Sequence, residues 1–201
     1  MAHTDEQLLN QQKKEAPEAK DKPPKYTGET KDGKYHGQGV YAWPDGTRYE
    51  GQWKEGKYHG QGVMVYANGE RYEGEYKDGK KNGQGVYIWS GGARYKGQWK
   101  DGKWDGQGVY TLPDGSRYEG QWKDGGDYCG RGVQFFTKGD RYKYEGEYKN
   151  GKIDGTGKMI YVNGEIYEGQ WKDDKRCGHG TYTFSDGRKK EGQWQDDKCR
   201  D

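Results

Sequence analysis

The chain is poor in the residues that usually fill a protein interior. Leu, Ile, Val and Phe together number 17 of its 201 residues, and mean hydropathy is −1.54. So few aliphatics cannot supply a conventional two-layer core, and such poverty commonly marks a chain that stays unfolded. Charge of one sign is scarce too. The formal net charge is +2, too small an excess for the phosphate neutralisation that nucleic-acid binding requires. No apolar stretch follows Met1 and no apolar run reaches about 18 residues, so neither a signal peptide nor a transmembrane helix is expected. The three cysteines, Cys129, Cys177 and Cys199, are odd in number and lack C-x-x-C spacing. They read as reduced thiols in a cytosolic protein.

What the chain has in abundance is glycine, tyrosine and tryptophan: 37, 19 and 8 residues. Disordered chains are usually poor in aromatics. The aromatics here are also periodic. The unit Y-x-G-x-W/Y-K-x-G-x-x-x-G-x-G starts at Tyr26, Tyr49, Tyr72, Tyr95, Tyr118, Tyr144 and Tyr167, with a partial eighth copy from Lys190. The period is 23 residues, apart from one interval of 26 that carries extra residues near Asp127–Tyr128 and Tyr142–Lys143. Residues 1–25 differ in kind. They hold no aromatic, five Lys against five Asp/Glu, and Pro17, Pro23 and Pro24, so a disordered polar arm is expected there, followed by a repeat domain over 26–201.

Each repeat reads as two strands. In Tyr95–Trp99 the aromatics and Gly97 alternate with polar residues, a period of two. Gly106, Gly108, Tyr110 and Leu112 share a phase in the second strand, with a polar turn expected over Lys100–Asp105. Pro113-Asp114-Gly115 closes the unit, as Ala67-Asn68-Gly69 and Val162-Asn163-Gly164 close theirs, and such dipeptides tolerate positive φ. The fold class is therefore all-β: an elongated, single-layer, twisted antiparallel β-meander of hairpin repeats, a rod with a groove. Rings are expected to lie flat over glycines such as Gly97 and Gly108, and small residues on that face should let the sheet curl into a trough. On the other face, Glu50, Glu73, Glu119 and Glu145 stand two residues from Arg48, Arg71, Arg117 and Lys143.

The repeat resembles the MORN repeat (membrane occupation and recognition nexus), whose unit is a 23-residue hairpin of the pattern Y-x-G-x-W-x-x-G-x-x-x-G-x-G. The match covers residues 26–194. The resemblance implies a single-layer twisted sheet with a groove, and an adaptor that docks partner helices or extended segments, with phosphoinositide binding a second role proposed for the family. A chain built of such repeats looks most like radial spoke head proteins of cilia and related cytoskeletal proteins. Three positions depart from the pattern: Thr30 replaces the first Trp, Asp174 a turn glycine, and Lys190 the leading Tyr of the stub.

Two surfaces are candidates for function. The first is an aromatic groove of Tyr49, Trp53, Tyr72, Tyr76, Tyr95, Trp99, Tyr118, Trp122, Tyr144 and Trp171, which would bind protein partners, since aromatics supply rigid amphipathic contact area. The second is a lysine edge of Lys54, Lys57, Lys77, Lys80, Lys100 and Lys103, which would meet anionic lipid or acidic partners weakly. Tandem copies or a homodimer formed edge to edge are also compatible with an open sheet. Catalysis is not expected: G-Q-G strings lack the following helix that phosphate loops need. His36, His59 and His179 are scattered, with His36 and His59 read as solvated turn residues. No set of four convergent metal ligands exists, and no cofactor is expected. The setting expected is the cytoplasm, in a cilium or another cytoskeletal structure.

Overall fold

A computed structural model of the chain describes residues 23–200. The expected arm falls almost wholly on residues 1–22, outside the described residues. From Lys25 onward the chain forms sixteen strands in one open sheet, in sequential order and antiparallel throughout. The first hairpins are β1 (Lys25–Lys31) with β2 (Lys34–Ala42), β3 (Arg48–Lys54) with β4 (Lys57–Val65), and β5 (Arg71–Lys77) with β6 (Lys80–Ile88). Next come β7 (Arg94–Lys100) with β8 (Lys103–Thr111), β9 (Arg117–Lys123) with β10 (Asp127–Phe135), and β11 (Arg141–Lys149) with β12 (Lys152–Tyr161). The last are β13 (Ile166–Lys172) with β14 (Lys175–Thr183), and β15 (Lys189–Gln195) with β16 (Lys198–Arg200). At about 4.8 Å per strand the sheet extends roughly 70 Å along its hydrogen-bonding direction.

The hairpin turn is tighter than the sequence suggests. Lys100 pairs with Lys103 across Asp101 and Gly102 alone, and both turn residues have positive φ, 50° and 87°. Two consecutive left-handed residues match the right-handed twist of the flanking strands. That is why Asp-Gly recurs here, and Lys103–Asp105 belong to the strand rather than to the turn. The longer turns between hairpins close through Leu112 N–H donating to Ser116 O at 2.8 Å and Gly115 N–H to Leu112 O at 3.0 Å. Asp114 holds that turn by accepting from Ser116 N–H at 2.9 Å, and this bond, first among several, draws its carboxyl down to about 2.

Gly106 has a different role from the one its phase suggests. Gly97 pairs with Gly108 but Trp99 pairs with Trp104, so β8 carries extra residues there. Gly106 sits in this bulge at φ +89°, where an L side chain is strained. A Cβ on it would run into the Gln98 side chain of the neighbouring strand, away from the aromatic face. Gln98 Oε1 takes the place of the lost ladder bond by accepting from Gln107 N–H at 2.7 Å. Glu75 and Glu147 do the same for Gln84 and Thr156 at 2.8 and 2.9 Å. His36 and His59 lie in strands β2 and β4, each beside the corresponding bulge of its own repeat, half-buried rather than in solvated turns.

The three extra residues of the fifth repeat are absorbed at its turns. One lengthens the β9–β10 turn to Asp124-Gly125-Gly126, with Lys123 pairing Asp127. The other two lengthen the next turn, closed by Phe136 N–H donating to Tyr142 O at 3.0 Å. A register shift between Arg141 and Lys143 then pushes Tyr142 outward, 52% exposed. On the polar face the Arg/Lys–Glu neighbours pair: Arg48–Glu50 at 2.7 Å, Arg71–Glu73 at 2.5 Å and Lys143–Glu145 at 2.9 Å.

Candidate functional site

The aromatic face solves the problem of burying a core on a single sheet by stacking three layers within one face. Gly97 and Gly108 form the floor. A Cβ on Gly108 would stand 2.5 Å from Tyr95 Oη and 2.7 Å from its ring carbons, so only glycine lets that ring lie on the backbone. Tyr95 Oη donates to Gln98 O at 2.9 Å. Trp99 and Trp122 meet the ring edge-on, at 5.3 and 5.6 Å and 87° and 88°, the arrangement favoured by ring quadrupoles. Each tryptophan also donates its indole N–H to a glycine carbonyl of the preceding hairpin, Trp99 to Gly85 at 3.2 Å and Trp122 to Gly108 at 3.0 Å. Repeats are thereby bonded to one another as well as paired.

A third layer lies above the tyrosine. Trp104 stacks on Tyr95 at 4.3 Å and 3°, Tyr35 on Tyr26 at 3.9 Å, and Tyr128 on Tyr118 at 4.1 Å. Tyr58 covers Tyr49 at 4.2 Å, tilted by 33°. The capping residue is held from behind, because its carbonyl accepts a bond from the turn of the following repeat. Gly56, Gly79, Gly102 and Gly125 N–H donate in this way to Tyr35, Tyr58, Lys81 and Trp104, at 2.9 to 3.1 Å.

This layering decides where the ten groove residues stand. Tyr49, Trp53, Tyr72, Tyr76, Tyr95, Trp99, Tyr118, Trp122, Tyr144 and Trp171 come together in one contiguous cluster, and none is more than 6% exposed. They are the core that supports the face. Burial pushes up the hydroxyl pKa of Tyr49, Tyr72, Tyr76, Tyr95, Tyr118 and Tyr144. The surface that a partner could touch lies in the capping residues and in an outer row half-buried beyond them, such as Tyr41, Trp43, Trp89 and Tyr110, with Leu112 exposed. A cavity of about 340 Å³ opens there between Tyr35, Tyr41, Trp43, Trp53, Lys57 and Tyr58.

The capping position is the feature of this face that the sequence hides. Its occupants are Tyr35, Tyr58, Lys81, Trp104, Tyr128, Ile153, Arg176 and Cys199, and two of these are cations. Lys81 Nζ lies 4.1 Å from the Tyr87 ring, 5.0 Å from Tyr72, 5.2 Å from Trp99 and 5.6 Å from Tyr66. Desolvation inside this box lowers its ammonium to about 8, against a partial opposing pull from Glu70. Arg176 lies 4.6 Å from Trp194, 5.4 Å from Tyr182 and 5.6 Å from Tyr167. A second cavity, of about 710 Å³, adjoins it between Arg141, Tyr161, Glu165, Tyr182 and Asp197.

The lysine edge is placed as its spacing suggests. Lys54, Lys57, Lys77, Lys80, Lys100 and Lys103 flank the two-residue turns and are exposed. Lys80 reaches forward to Asp101 of the next turn at 3.6 Å. Equivalent contacts run from Lys152 to Asp173 and from Lys175 to Asp196, at 3.1 and 3.4 Å. Among the described residues no cluster of three His, Cys, Asp or Glu is arranged to hold a metal ion.

A single open meander of hairpins, each glycine-floored and aromatic-capped, is the architecture of a β-repeat protein. The sequence model of the MORN repeat matches residues 26–48, 49–71, 72–94, 95–117, 118–141, 144–166 and 167–187; the chain belongs to the MORN-repeat family. A search of curated proteins gave no match. Among solved structures, one similar chain is the SAS-4 (dCPAP) TCP domain of Drosophila melanogaster, in complex with a proline-rich motif of Ana2 (dSTIL). It is 14% identical, with a TM-score of 0.47 over 79% of this chain and 85% of that one. A mutant TCP10 domain of Danio rerio CPAP is 17% identical, with a TM-score of 0.45 over 78% and 72%. A streptogramin B lyase aligns at 10% identity and a TM-score of 0.22, over 86% and 88%. At such values the likeness carries no argument about function.

Proposed function

We propose that this protein is a non-catalytic scaffold that holds partner proteins on its aromatic face, within a ciliary or other cytoskeletal assembly. One observation carries the reading: a continuous row of half-buried rings lies on a sheet that, among the described residues, has no second layer to cover it. Elsewhere in proteins such a face is covered by helices or a second sheet. Here the repeats bury their own innermost rings and still leave Tyr41, Trp43, Trp89, Tyr110 and Leu112 partly open. Rigid aromatics with low ordering cost are the residues that anchor interfaces. Repetition of one unit suits an extended segment or helix laid along several repeats, rather than a compact ligand.

The test uses outer-row residues, because replacing the buried ones would unfold the repeats. Trp43→Ser and Leu112→Ser should abolish co-purification of the native partner with little change in melting temperature. Val109→Ser, on the opposite face, should leave it intact. Retention of the partner by both outer-row variants would refute the reading.

A second reading is a peripheral membrane tether through the lysine edge. It is favoured by one observation: among the described residues, Lys54, Lys57, Lys77, Lys100 and Lys103 form no ion pair within 4 Å, so their charge remains available to anionic headgroups. Flotation with vesicles containing phosphoinositides at low salt tests it. Absence of lipid-dependent flotation removes it.

A further inference from the structure

The two cations at the capping position stand in closely matched surroundings, four repeats apart. Around Lys81 lie Tyr72, Tyr87 and Trp99, and Tyr87 Oη donates to Glu70 Oε2 at 2.5 Å. Around Arg176 lie Tyr167, Tyr182 and Trp194, and Tyr182 Oη donates to Glu165 Oε2 at 2.6 Å. In each station the nearby glutamate is engaged by a tyrosine hydroxyl.

The stations differ in one respect. The turn that follows Arg176 carries Asp197 where most repeats have glycine. Asp197 Oδ1 accepts from Arg176 N–H at 2.9 Å and from Arg176 Nε at 3.2 Å, and its carbonyl accepts from the guanidinium at 2.8 Å. The protein thus supplies its own carboxylate to this boxed cation. The turn that follows Lys81 carries Gly102, whose N–H donates to Lys81 O at 2.9 Å just as Asp197 N–H donates to Arg176 O at 3.2 Å. Gly102 has no side chain to offer, and a Cβ built on it meets nothing within 4 Å. Among the described residues no carboxylate lies within 4 Å of Lys81 Nζ. A cation drawn out of water whose nearest acid, Glu70, lies beyond 4 Å and accepts from Tyr87 is electrostatically under-compensated. Asp197 and Asp174 show that the backbone at this turn position accepts aspartate, at φ 66° and 68°. Asp174 likewise caps the previous repeat, accepting from Ile153 N–H at 2.9 Å.

We propose that the Lys81–Gly102 station receives a carboxylate from an acidic, apolar-flanked segment of a partner protein, in the position that Asp197 occupies beside Arg176. The inference rests on the aromatic face being the partner surface and deepens that reading by naming the partner's chemistry. The apolar flanks would lie on Trp89, 4.6 Å from Tyr87, on Trp104, 6.3 Å from Trp99, and on Tyr110, which packs against both at 5.6 and 5.3 Å. The acidic group would restore to Lys81 the pairing that the protein provides for itself at the far end of the sheet. A basic or neutral segment would leave the boxed ammonium with only the partial pull of Glu70, so the station selects by charge.

The test compares two labelled twelve-residue peptides, one alternating Glu with Leu and the other Gln with Leu, against the full chain at low salt. Anisotropy should show the Glu peptide binding about tenfold more tightly, with the Lys81 side-chain resonances shifting on titration. Gly102→Asp places a carboxylate in the site from within and should weaken the Glu peptide about tenfold; Gly102→Asn, a neutral isostere, should leave it unchanged. Lys81→Gln should equalise the two peptides and serves if Gly102→Asp fails to fold. Equal affinity of both peptides for the parent chain, or no loss with Gly102→Asp and Lys81→Gln, would overturn the inference while leaving the aromatic face as a binding surface. Failure of both peptides to perturb any resonance of Trp89, Trp104 or Tyr110 would remove both readings together.

Discussion

Replacing Gly108 by alanine isolates the feature on which the fold depends. In an ordinary strand this change is neutral or stabilises by about 0.5–1 kcal/mol, because it reduces the entropy of the unfolded chain. Gly108 does not have a positive φ, so backbone strain adds nothing. The steric effect is the reverse. The new methyl would stand 2.5 Å from Tyr95 Oη and 2.7 Å from two ring carbons, against the roughly 3.5–4.0 Å of an ordinary carbon contact. The ring would have to rise by about 1 Å. It has nowhere to go, since Trp104 is stacked on it at 4.3 Å and Trp99 and Trp122 flank it at 5.3 and 5.6 Å. Overpacking of this kind costs about 1–3 kcal/mol, and a ring enclosed on every side belongs near the top of that range. With the entropic gain subtracted, Gly108→Ala should destabilise by about 2 kcal/mol. Gly91→Ala, whose Cβ meets nothing within 4 Å, should be neutral. Guanidinium unfolding followed by far-ultraviolet circular dichroism, fitted with a nearest-neighbour repeat scheme, gives both numbers. In a Tyr95→Ala background the Gly108→Ala change should lose its cost, which makes the pair strongly non-additive. A single Gly108→Ala variant as stable as the parent, or additivity with Tyr95→Ala, would refute the argument.

Gln98→Leu should cost about 0.5–1 kcal/mol, since Gln107 N–H exchanges its side-chain acceptor for water in this exposed bulge, whereas Gln98→Glu should be tolerated because Glu75 and Glu147 serve the equivalent bulges; thermal melts of the two variants decide it, and equal losses would contradict the assignment. The Lys81 ammonium is held at about 8 in the folded chain against 10.5 as its ordinary value, so between those values the unfolded state binds more protons and stability rises with pH. The buried tyrosines act in the opposite sense: their folded pKa values lie above 10, so stability falls once the unfolded chain's tyrosines ionise above about pH 10. Denaturation midpoints should therefore climb from about pH 8 to about pH 10 and then drop, and Lys81→Met should flatten the climb while leaving the drop; a climb unchanged in Lys81→Met would exclude the boxed lysine as its source. Gly102→Asp should fold with a melting temperature close to the parent's, as aspartate is accepted at the equivalent turn positions of Asp174 and Asp197; thermal melts check it, and loss of fold would show that the β7–β8 turn does not share that tolerance.

Much of this architecture is legible in the sequence because the columns it depends on are invariant within the chain. Tyr49, Tyr72, Tyr95, Tyr118, Tyr144 and Tyr167 recur with glycine two residues later, and Asp-Gly or Asn-Gly marks the turns, so strand phase and hairpin order follow directly. Three things do not follow. Period-two counting assumes one residue per rung, and so it misses the bulge at Gly106 and places that glycine on the wrong face. The capping position escapes notice because it needs only something flat or long over a ring, a requirement met by Tyr58, Trp104, Lys81, Ile153 and Arg176 alike. Without the caps, Trp99 and Trp122 look like groove lining, whereas Trp104 and Tyr128 cover that layer and move the accessible surface one ring outward. The Lys81 station is hidden for a related reason: its meaning lies in the contrast between Gly102 and Asp197, residues of different repeats that a search for similarity treats as noise.

The central claim is that partners sit on the aromatic face, and a photo-cross-linking footprint tests it most directly. A benzophenone amino acid would be placed in turn at Trp89 and Leu112 on that face and at Val86 and Val109 on the other, in the chain expressed in its native cell. Mass spectrometry would then identify the captured peptides. The account predicts one and the same partner segment captured from Trp89 and Leu112, rich in acidic and apolar residues, and none from Val86 or Val109. Capture from the Val86 and Val109 positions alone would contradict it.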